Sequence, residues 1–362
     1  MRPRVVVAMS GGVDSSVAAL LLKEEGYDVI GVSLKLWEAP EECTVKTKTC
    51  CSLTDVNDAR AVCDTLGIPF YVFDYTDHFR KSVIDPFVKE YHLGRTPNPC
   101  IQCNHDIKFD LLLKETEQLG AKYLATGHHA QIICDAQGIY HLKKGHDQDK
   151  DQSYFLFGLL KKNLSQILFP VGTYTKPELR ERAKEVGLTV HDKSESMEIC
   201  FIPSGDHTTF IAEEYPELKR SKGNFVDSAG KVLGEHLGID KYTIGQRKQL
   251  GVSTGRRMYV TEICPETDEV VLGDPQDLLA TGLKAKDFVL THPDPKSTFT
   301  AKVRYRFKDV EATIKHFDPI TGDVELTFAE PVSAITPGQA VVLYKGDLVV
   351  GGGWIESSIS KI

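Results

Sequence analysis

The chain opens on an unbroken β-branched run at residues 5–8, VVVA, which predicts a buried strand. Ser10, Gly11 and Gly12 break the run. From Val13 the apolar positions Val17, Leu20 and Leu21 recur at helical spacing, up to a C-capping Gly26. A second buried strand follows in YDVIGVSLKLW (27–37), then a polar stretch over 38–51 that predicts a mobile loop. Ser52-x-x-Asp55 has the form of a capping box opening a helix through Leu66 and closed at Gly67. PFYVFDY (69–75) supplies a third strand, helical patterns cover 78–92 and 107–119, and KYLATG (122–127) is a fourth strand. IICDAQGIYHL (132–142) has the pattern of a hairpin. Residues 160–220 are mainly helical, most clearly KPELRERAKEVGL (176–188). Beyond Gly223, short strands separated by DSAG, DPITGD and YKGDLVV predict all-β structure ending in a small barrel.

This alternation predicts an α/β fold class: a doubly wound parallel-sheet domain over 1–205, binding ligands at the C-terminal ends of its strands. A small mixed central domain over 206–280 and a C-terminal β-barrel over 281–362 complete the expected architecture. The 362 residues, 41% hydrophobic and 26% charged, suffice for a sizeable core and have the composition of a globular protein. No apolar run approaches the ~20 residues of a membrane span. The first strand begins almost at Met1, leaving no room for a targeting peptide, so a cytoplasmic location is expected. There, nine cysteines read as reduced, reactive or metal-binding rather than as disulfide staples.

A net charge of −8 argues against indiscriminate nucleic-acid binding but allows local basic surfaces. Two stand out. KYTIGQRKQLGVSTGRR (241–257) holds Lys241, Arg247, Lys248, Arg256 and Arg257 with no acid. KVRYRFK (302–308) alternates cations with Val303, Tyr305 and Phe307, so that in a strand Lys302, Arg304, Arg306 and Lys308 share one face. Each alone could be a solvated face; together they favour a phosphate backbone as partner.

The glycine turn between the first strand and helix presents unpaired amides and a partial positive charge, which suits a phosphate. It has neither the Lys-Ser/Thr ending of a Walker A loop nor a GxGxxG pattern, and the plain alternative is an ordinary capped helix. In GRTPNPCIQCNHDIKF (94–109), two prolines predict an extended loop, with Cys100 and Cys103 just before a helix beginning near Asp106. Arg95, His105 and Lys108 nearby would favour a thiolate. DKSESMEICFIP (192–203) carries Cys200 between Ile199 and Phe201, where a buried structural cysteine is the alternative. Cys43, Cys50 and Cys51 lie on the polar loop without a clear fourth zinc ligand, and Cys63 and Cys134 read as packing residues. Adjacent His128 and His129 would point to opposite faces, which makes a shared metal a weak reading.

SGGVDSS (10–16) resembles the pyrophosphatase loop of enzymes that split ATP into AMP and pyrophosphate. With GRTPNPCxxCN, ATGHHA (125–130), KDQSYFL (150–156), EICFIP (198–203), YTIGQRKQLG (242–251), VRYR (303–306) and TPGQAVVLYKGDLVVGGG (336–353), nearly the whole chain resembles the tRNA-specific 2-thiouridylases. That resemblance implies ATP-dependent 2-thiolation of the wobble uridine, position 34, in tRNAs for Lys, Glu and Gln. Ala8, Met9, Ser10, Gly11, Gly12, Val13, Asp14 and Ser15, with Leu34 and Gly127, would hold ATP with Mg²⁺. Cys200 would carry a persulfide delivered by a cysteine desulfurase or sulfur-relay protein, and Cys103 would be the facing nucleophile. Asn98, Pro99 and Cys100 would contact the target base; His128, Lys150, Asp151, Gln152, Arg304, Tyr305 and Gln339 would hold the tRNA.

Some family members carry Asp where this chain has Cys100. Cys100, Cys103 and Cys200 could instead ligate a [4Fe–4S] cluster whose open iron carries the sulfur. Two rivals remain at this stage. A different ATP-adenylating ligase would leave both cysteines idle, and a non-catalytic tRNA-binding or sulfur-carrier protein would not need the Asp14-Ser15 pair.

Overall fold

The computed structural model describes residues 2–37, 53–194, 198–202, 204–218, 221–252 and 255–360. The expected mobile loop, its three cysteines and the Ser52 cap fall outside the described residues. The chain divides into two compact units, one formed by residues 1–84, 99–206 and 347–349, the other by 85–98, 207–346 and 350–362.

The first unit is built on a five-stranded sheet. β1 (Arg4–Ala8) leads through the glycine turn into α1 (Val13–Glu24), then β2 (Asp28–Lys35), α2 (Leu53–Leu66), β3 (Phe70–Asp74) and α3 (Thr76–Phe79). A π-helical segment, Arg80–Ile84, ends this stretch; α4 (Asp85–His92) counts with the second unit. α5 (Pro99–Gln102), a π-helical Cys103–Leu111 and α6 (Leu112–Gln118) form one helical run into β4 (Tyr123–Thr126). β5 (Ala130–Cys134) and β6 (Tyr140–Lys144) make the expected hairpin, and β7 (Ile167–Leu168) and α7 (Lys176–Glu185) follow.

The sheet order is β3-β2-β1-β4-β7, and every pairing is parallel. The order reverses between β1 and β4, so the crevice above their C-terminal ends is the place for a ligand. α1 is buried along most of its length because Val17, Ala18, Leu20, Leu21 and Leu22 share a core with Val5, Val7, Ala59, Val62, Leu179 and Ala183. Each buried Val or Leu among them contributes about 1.5–3 kcal/mol, which holds the helix start against the sheet. The helix ends as its glycine predicted, with Gly26 at φ 88.

The second unit is mostly β. After α8 (His207–Glu214) come β8 (Gly223–Asp227), β9 (Val232–His236), β10 (Tyr259–Cys264) and β11 (Glu269–Gly273), paired in the order β10-β11-β8-β9 around Phe225, Tyr242, Val260, Val270 and Leu272. β12 (Leu279–Leu290), β13 (Phe299–Lys302), β14 (Val310–Phe317), β15 (Val324–Ser333), β16 (Ala340–Lys345) and β17 (Leu348–Ser360) run in the order β12-β15-β14-β13-β16-β17. β12 also pairs antiparallel with β17, which closes the barrel and leaves it no free edge.

Three expectations need correction. KVRYRFK is not a strand: β13 stops at Lys302, and a turn in which Phe307 N–H donates to the Arg304 carbonyl replaces alternation, so the cations share no strand face. The helix of the CxxC segment starts at Pro99 rather than near Asp106, because a proline at the first helical position has a suitable φ and no donor to satisfy. Cys134 is exposed rather than packed, whereas Cys63 is fully buried, with burial pushing its thiol up to about 12.

Candidate active site

The glycine loop sits at the end of β1, where Met9 N–H donates to the Val32 carbonyl and Ser33 Oγ donates to the Met9 carbonyl. Gly11 has φ 69, and a Cβ there would lie 2.2 Å from the Asp55 carbonyl oxygen, so only glycine lets the loop pass α2. Gly12 is the N-cap of α1 and offers no side-chain cap, leaving the first-turn amides available to an anion. Ser15 and Ser16 turn their hydroxyls back to the Gly12 carbonyl, at 3.2 and 2.8 Å, and Ser15 Oγ also accepts from Ser10 N–H at 3.1 Å. These bonds hold the loop open before any ligand arrives. Across the switch point, Gly127 follows β4, and Leu34 lies near the end of β2.

Asp14 is the electrostatic centre of this end of the sheet. Lys176 Nζ donates to both of its carboxylate oxygens at 2.7 Å, and His129 Nε2 lies 3.3 Å from Oδ1. Burial pushes the Asp14 carboxyl up, but the His129 hydrogen bond and the Lys176 ammonium outweigh it and hold it below the usual carboxylate value. A lowered folded pKa means that the stabilisation is complete above about pH 4 and lost as pH falls through the folded value. The melting-temperature gap between wild type and Asp14→Asn is therefore expected to stay level from about pH 8 to 5 and to close below about 4. A gap that widened on acidification would contradict this assignment.

Lys176 and His129 were not singled out from the sequence as site residues. Lys176 lies within a capping box in which Thr175 and Glu178 satisfy each other, a signal for the helix but not for a partner 162 residues away. His129 is 3% exposed, and its backbone N–H donates to Gln152 Oε1 at 2.9 Å.

Cys100 lies in the first turn of the helical run and is exposed; Cys103, three residues on, is buried. The thiolate-promoting group expected around them is partly spent: His105 Nδ1 is 2.6 Å from Asp106 Oδ1 and Arg95 Nε donates to Glu90 Oε2 at 2.7 Å. His105, Asp106 and Asp110 are, among the described residues, the group whose donor atoms all lie within 4.8 Å of one another. Lys162 pairs with Asp110 and Gln102 donates to Asp106, so that group already has cationic and amide partners. Cys200 is half-buried on a turn, while its neighbour Phe201 is buried edge-on against Phe79 at 5.7 Å. The packing role expected of a structural cysteine thus falls to Phe201.

The residues expected to hold tRNA fall in both units. His128 is half-buried between Phe109 and Phe169, with Nδ1 2.6 Å from Thr126 Oγ1, and burial pushes its imidazole well below the usual value. Asp151 is buried and accepts from Gly145 N–H, Ser153 N–H and Ser153 Oγ at 2.9, 3.1 and 2.8 Å; Gln152 is taken by His129. Lys150 and Tyr305 are half-buried. In the second unit, Arg304 donates to the carbonyls of Ile244 and Ala334 at 3.0 and 2.8 Å. Gln339 Nε2 donates to the Thr96 and Pro97 carbonyls at 2.8 and 3.3 Å, immediately before Asn98. Thr96 N–H donates to the Pro337 carbonyl; Gly338 has φ 89 and a Cβ there would meet the Thr96 backbone at 3.0 Å, so both favour glycine. Arg247, Lys248, Arg256 and Arg257 of the other basic stretch are exposed, Arg256 pairing with Asp274 at 2.9 Å. Among the described residues no helix is long and apolar enough to cross a membrane.

Comparison with known proteins matches this arrangement. Residues 3–204 match the family model described as a tRNA methyl transferase HUP domain, 208–274 the tRNA methyl transferase PRC-barrel domain, and 280–355 the aminomethyltransferase beta-barrel domain. The tRNA-specific 2-thiouridylase MnmA of Geobacter metallireducens is 47% identical over 99% of this chain and 98% of its own. That of Clostridium perfringens is 49% identical over 98% of this chain and 99% of its own. Among solved structures, a 4-thiouridine synthetase–RNA complex with bound ATP is 19% identical, covering 59% of this chain and 51% of its own at a TM-score of 0.38. Full-length identity near one half, together with three consecutive domain matches, shows that the chain belongs to the tRNA-specific 2-thiouridylase family.

Proposed function

We propose that this protein is an ATP-dependent tRNA-uridine 2-sulfurtransferase acting on the wobble uridine, position 34. The carrying observation is that one compact unit holds both the uncapped glycine loop at the sheet's switch point and the thiols Cys103 and Cys200. MgATP is the substrate that activates the base, with residues 8–15, Leu34 and Gly127 around it. Loop amides bind the phosphates, and Lys176 beside Asp14 is a cation near them. The uracil C2 oxygen attacks the α-phosphorus, pyrophosphate leaves, and the adenylated oxygen becomes a leaving group that the free carbonyl lacks.

The terminal sulfur of a Cys200 persulfide, loaded by a cysteine desulfurase or relay protein, then adds to C2 and AMP departs with the oxygen. Cys103 thiolate attacks Cys200 Sγ, breaking the S–S bond. The base keeps the sulfur as thiocarbonyl, the two cysteines are joined as a disulfide, and an external thiol returns the two electrons. Alternatively, Cys103 first releases the persulfide sulfur as sulfide, which attacks C2. A base inside a tRNA loop must leave its stack to enter such a site, and Asn98, Pro99 and Cys100 are assigned to receive it. We assign activation and sulfur transfer to residues 1–205, tRNA contact to 206–280, and the barrel to 281–362.

Cys100 favours a second reading of the sulfur step. Cys100 and Cys103 lie one helical turn apart, and on this reading they and Cys200 would be the three thiolate ligands of a [4Fe–4S] cluster, which would supply an iron-bound sulfur. Iron and acid-labile sulfide measured in anaerobically purified protein decide between the two. A cluster ratio lost with activity in Cys100→Ser establishes the ligand reading; iron-free protein that thiolates tRNA from a persulfide donor establishes the persulfide route.

Gln339 permits a separate check of the tRNA assignments. Its amide bonds the chain just before Asn98, so Gln339→Ala is expected to lower kcat about tenfold, the worth of one or two hydrogen bonds, with KM for tRNA little changed. A raised KM at unchanged kcat would make Gln339 an RNA contact instead.

A further inference from the structure

Three of the sequence motifs meet at one short stretch of chain. The second unit takes in residues 85–98, and the chain returns to the first unit at Pro99, the residue before Cys100. Within the second unit every polar group of Thr96 has a partner. Its N–H donates to the Pro337 carbonyl at 2.9 Å, its carbonyl accepts from Gln339 Nε2 at 2.8 Å, and its Oγ1 donates to Thr243 Oγ1 at 3.2 Å. GRTPNP (94–99), TPGQ (336–339) and YTIGQ (242–246) are thus one hydrogen-bonded assembly.

The loops that grip Thr96 are themselves braced. Arg304 donates to the Ile244 carbonyl at 3.0 Å, to the Ala334 carbonyl at 2.8 Å and to Thr336 Oγ1, which ties the two loops together. Ala334 sits at φ 57, a left-handed conformation that persists at an alanine only where its surroundings over-determine it. Gly338 N–H donates to the Ile355 carbonyl at 3.0 Å and Ile355 N–H to the Gln339 carbonyl at 2.8 Å, which fixes the turn to β17. Beyond this anchor the chain is stiff. Pro97 and Pro99 have a locked φ, and each restricts the residue before it, Thr96 and Asn98, to extended backbone. A displacement of Thr96 therefore carries to Asn98 and Cys100 with few torsions free to absorb it.

We propose that Thr96 is a positioning residue, the anchor of a proline-stiffened strut that sets where Asn98 and Cys100 meet the target base. The inference rests on the tRNA-thiolation reading and deepens it: the unit assigned to tRNA contact also holds the segment that receives the uridine. Thr243 is the arm nearest the basic stretch, since the exposed Arg247 and Lys248 follow it on the same loop. An RNA backbone bound at those cations and the base-receiving segment would share one braced loop.

The test is steady-state thiolation of tRNA by the full-length protein and by Thr243→Val, which keeps the shape of the side chain and loses the hydroxyl. kcat is expected to fall about fivefold, the worth of one hydrogen bond, with KM for tRNA unchanged. Thr243→Ser, which keeps the hydroxyl, should recover the wild-type kcat. A second readout needs neither tRNA nor ATP: hydrogen exchange at the Thr96 amide, read by peptide mass between two prolines that contribute no amide of their own. It should quicken about tenfold in Gln339→Ala, with a melting curve confirming that the variant is folded. Unchanged kcat in Thr243→Val, equal losses in the Val and Ser variants, or a raised KM at unchanged kcat overturns the strut. Wild-type exchange in Gln339→Ala does so too. Failure of the function shows separately: wild-type protein that leaves tRNA unthiolated overturns that reading, while the exchange rate still decides whether Thr96 is anchored.

Discussion

Cys200→Ser is expected to reduce tRNA thiolation by about three orders of magnitude or more while tRNA-dependent AMP formation continues. A serine hydroxyl cannot hold a sulfane sulfur, so the variant removes the carrier and not merely a rate enhancement. Adenylation draws on the glycine loop and the Asp14–Lys176 pair, neither of which involves Cys200. The expected signature is thus a split, with AMP released and the uridine unmodified. Parallel loss of AMP formation would mean that Cys200 acts at or before base activation. Thiolation near the wild-type rate would remove Cys200 as the sulfur carrier.

The second large effect is expected from one added methyl group. In Gly127→Ala the new Cβ would lie 2.5 Å from Ser15 N and 2.6 Å from the Asp14 carbonyl carbon. Both belong to the first turn of α1, which the surrounding core cannot let go. The clash can be relieved only by pushing the helix start away from β4, at a cost of about 1–3 kcal/mol. The displacement falls on the amides that bind phosphate, so ATP affinity should drop about a hundredfold or more. Gly12→Ala is the control for stability: its Cβ would find only Ser10 Oγ, at 3.5 Å, and its φ of −97 suits any residue. A melting curve and an ATP titration of both variants check the contrast. Unchanged ATP affinity in Gly127→Ala would move the nucleotide away from this crevice.

What the sequence revealed was local. The run VVVA, the Gly-Gly break and the period of Val17, Leu20 and Leu21 place β1, the loop and α1 without knowledge of anything distant. β7 is two residues long and exists because Leu124 and Ala125 offer it an edge, so no window of sequence could announce it. The start of the CxxC helix was misplaced because Pro97 and Pro99 both suggest extended chain, whereas a proline can equally open a helix. Alternation in KVRYRFK looked like a strand, but tertiary bonds from Arg304 to the carbonyls of Ile244 and Ala334 bend the chain there. Lys176, His129 and Lys193 (whose ammonium donates to the Gly11 carbonyl) were not assigned to the site for one reason: their partners lie 162, 115 and up to 182 residues away. A site assembled by fold-level contacts shows only its local half in the sequence.

The central claim is tested most directly by a single turnover. Protein carrying a ³⁵S-labelled persulfide, freed of excess donor, is mixed with tRNA in the presence or absence of MgATP, and label in the wobble nucleoside is counted. The account predicts ATP-dependent transfer approaching one sulfur per chain, with a Cys103–Cys200 disulfide as co-product and no transfer from Cys200→Ser. Transfer without ATP, or equal transfer by Cys200→Ser, would contradict it.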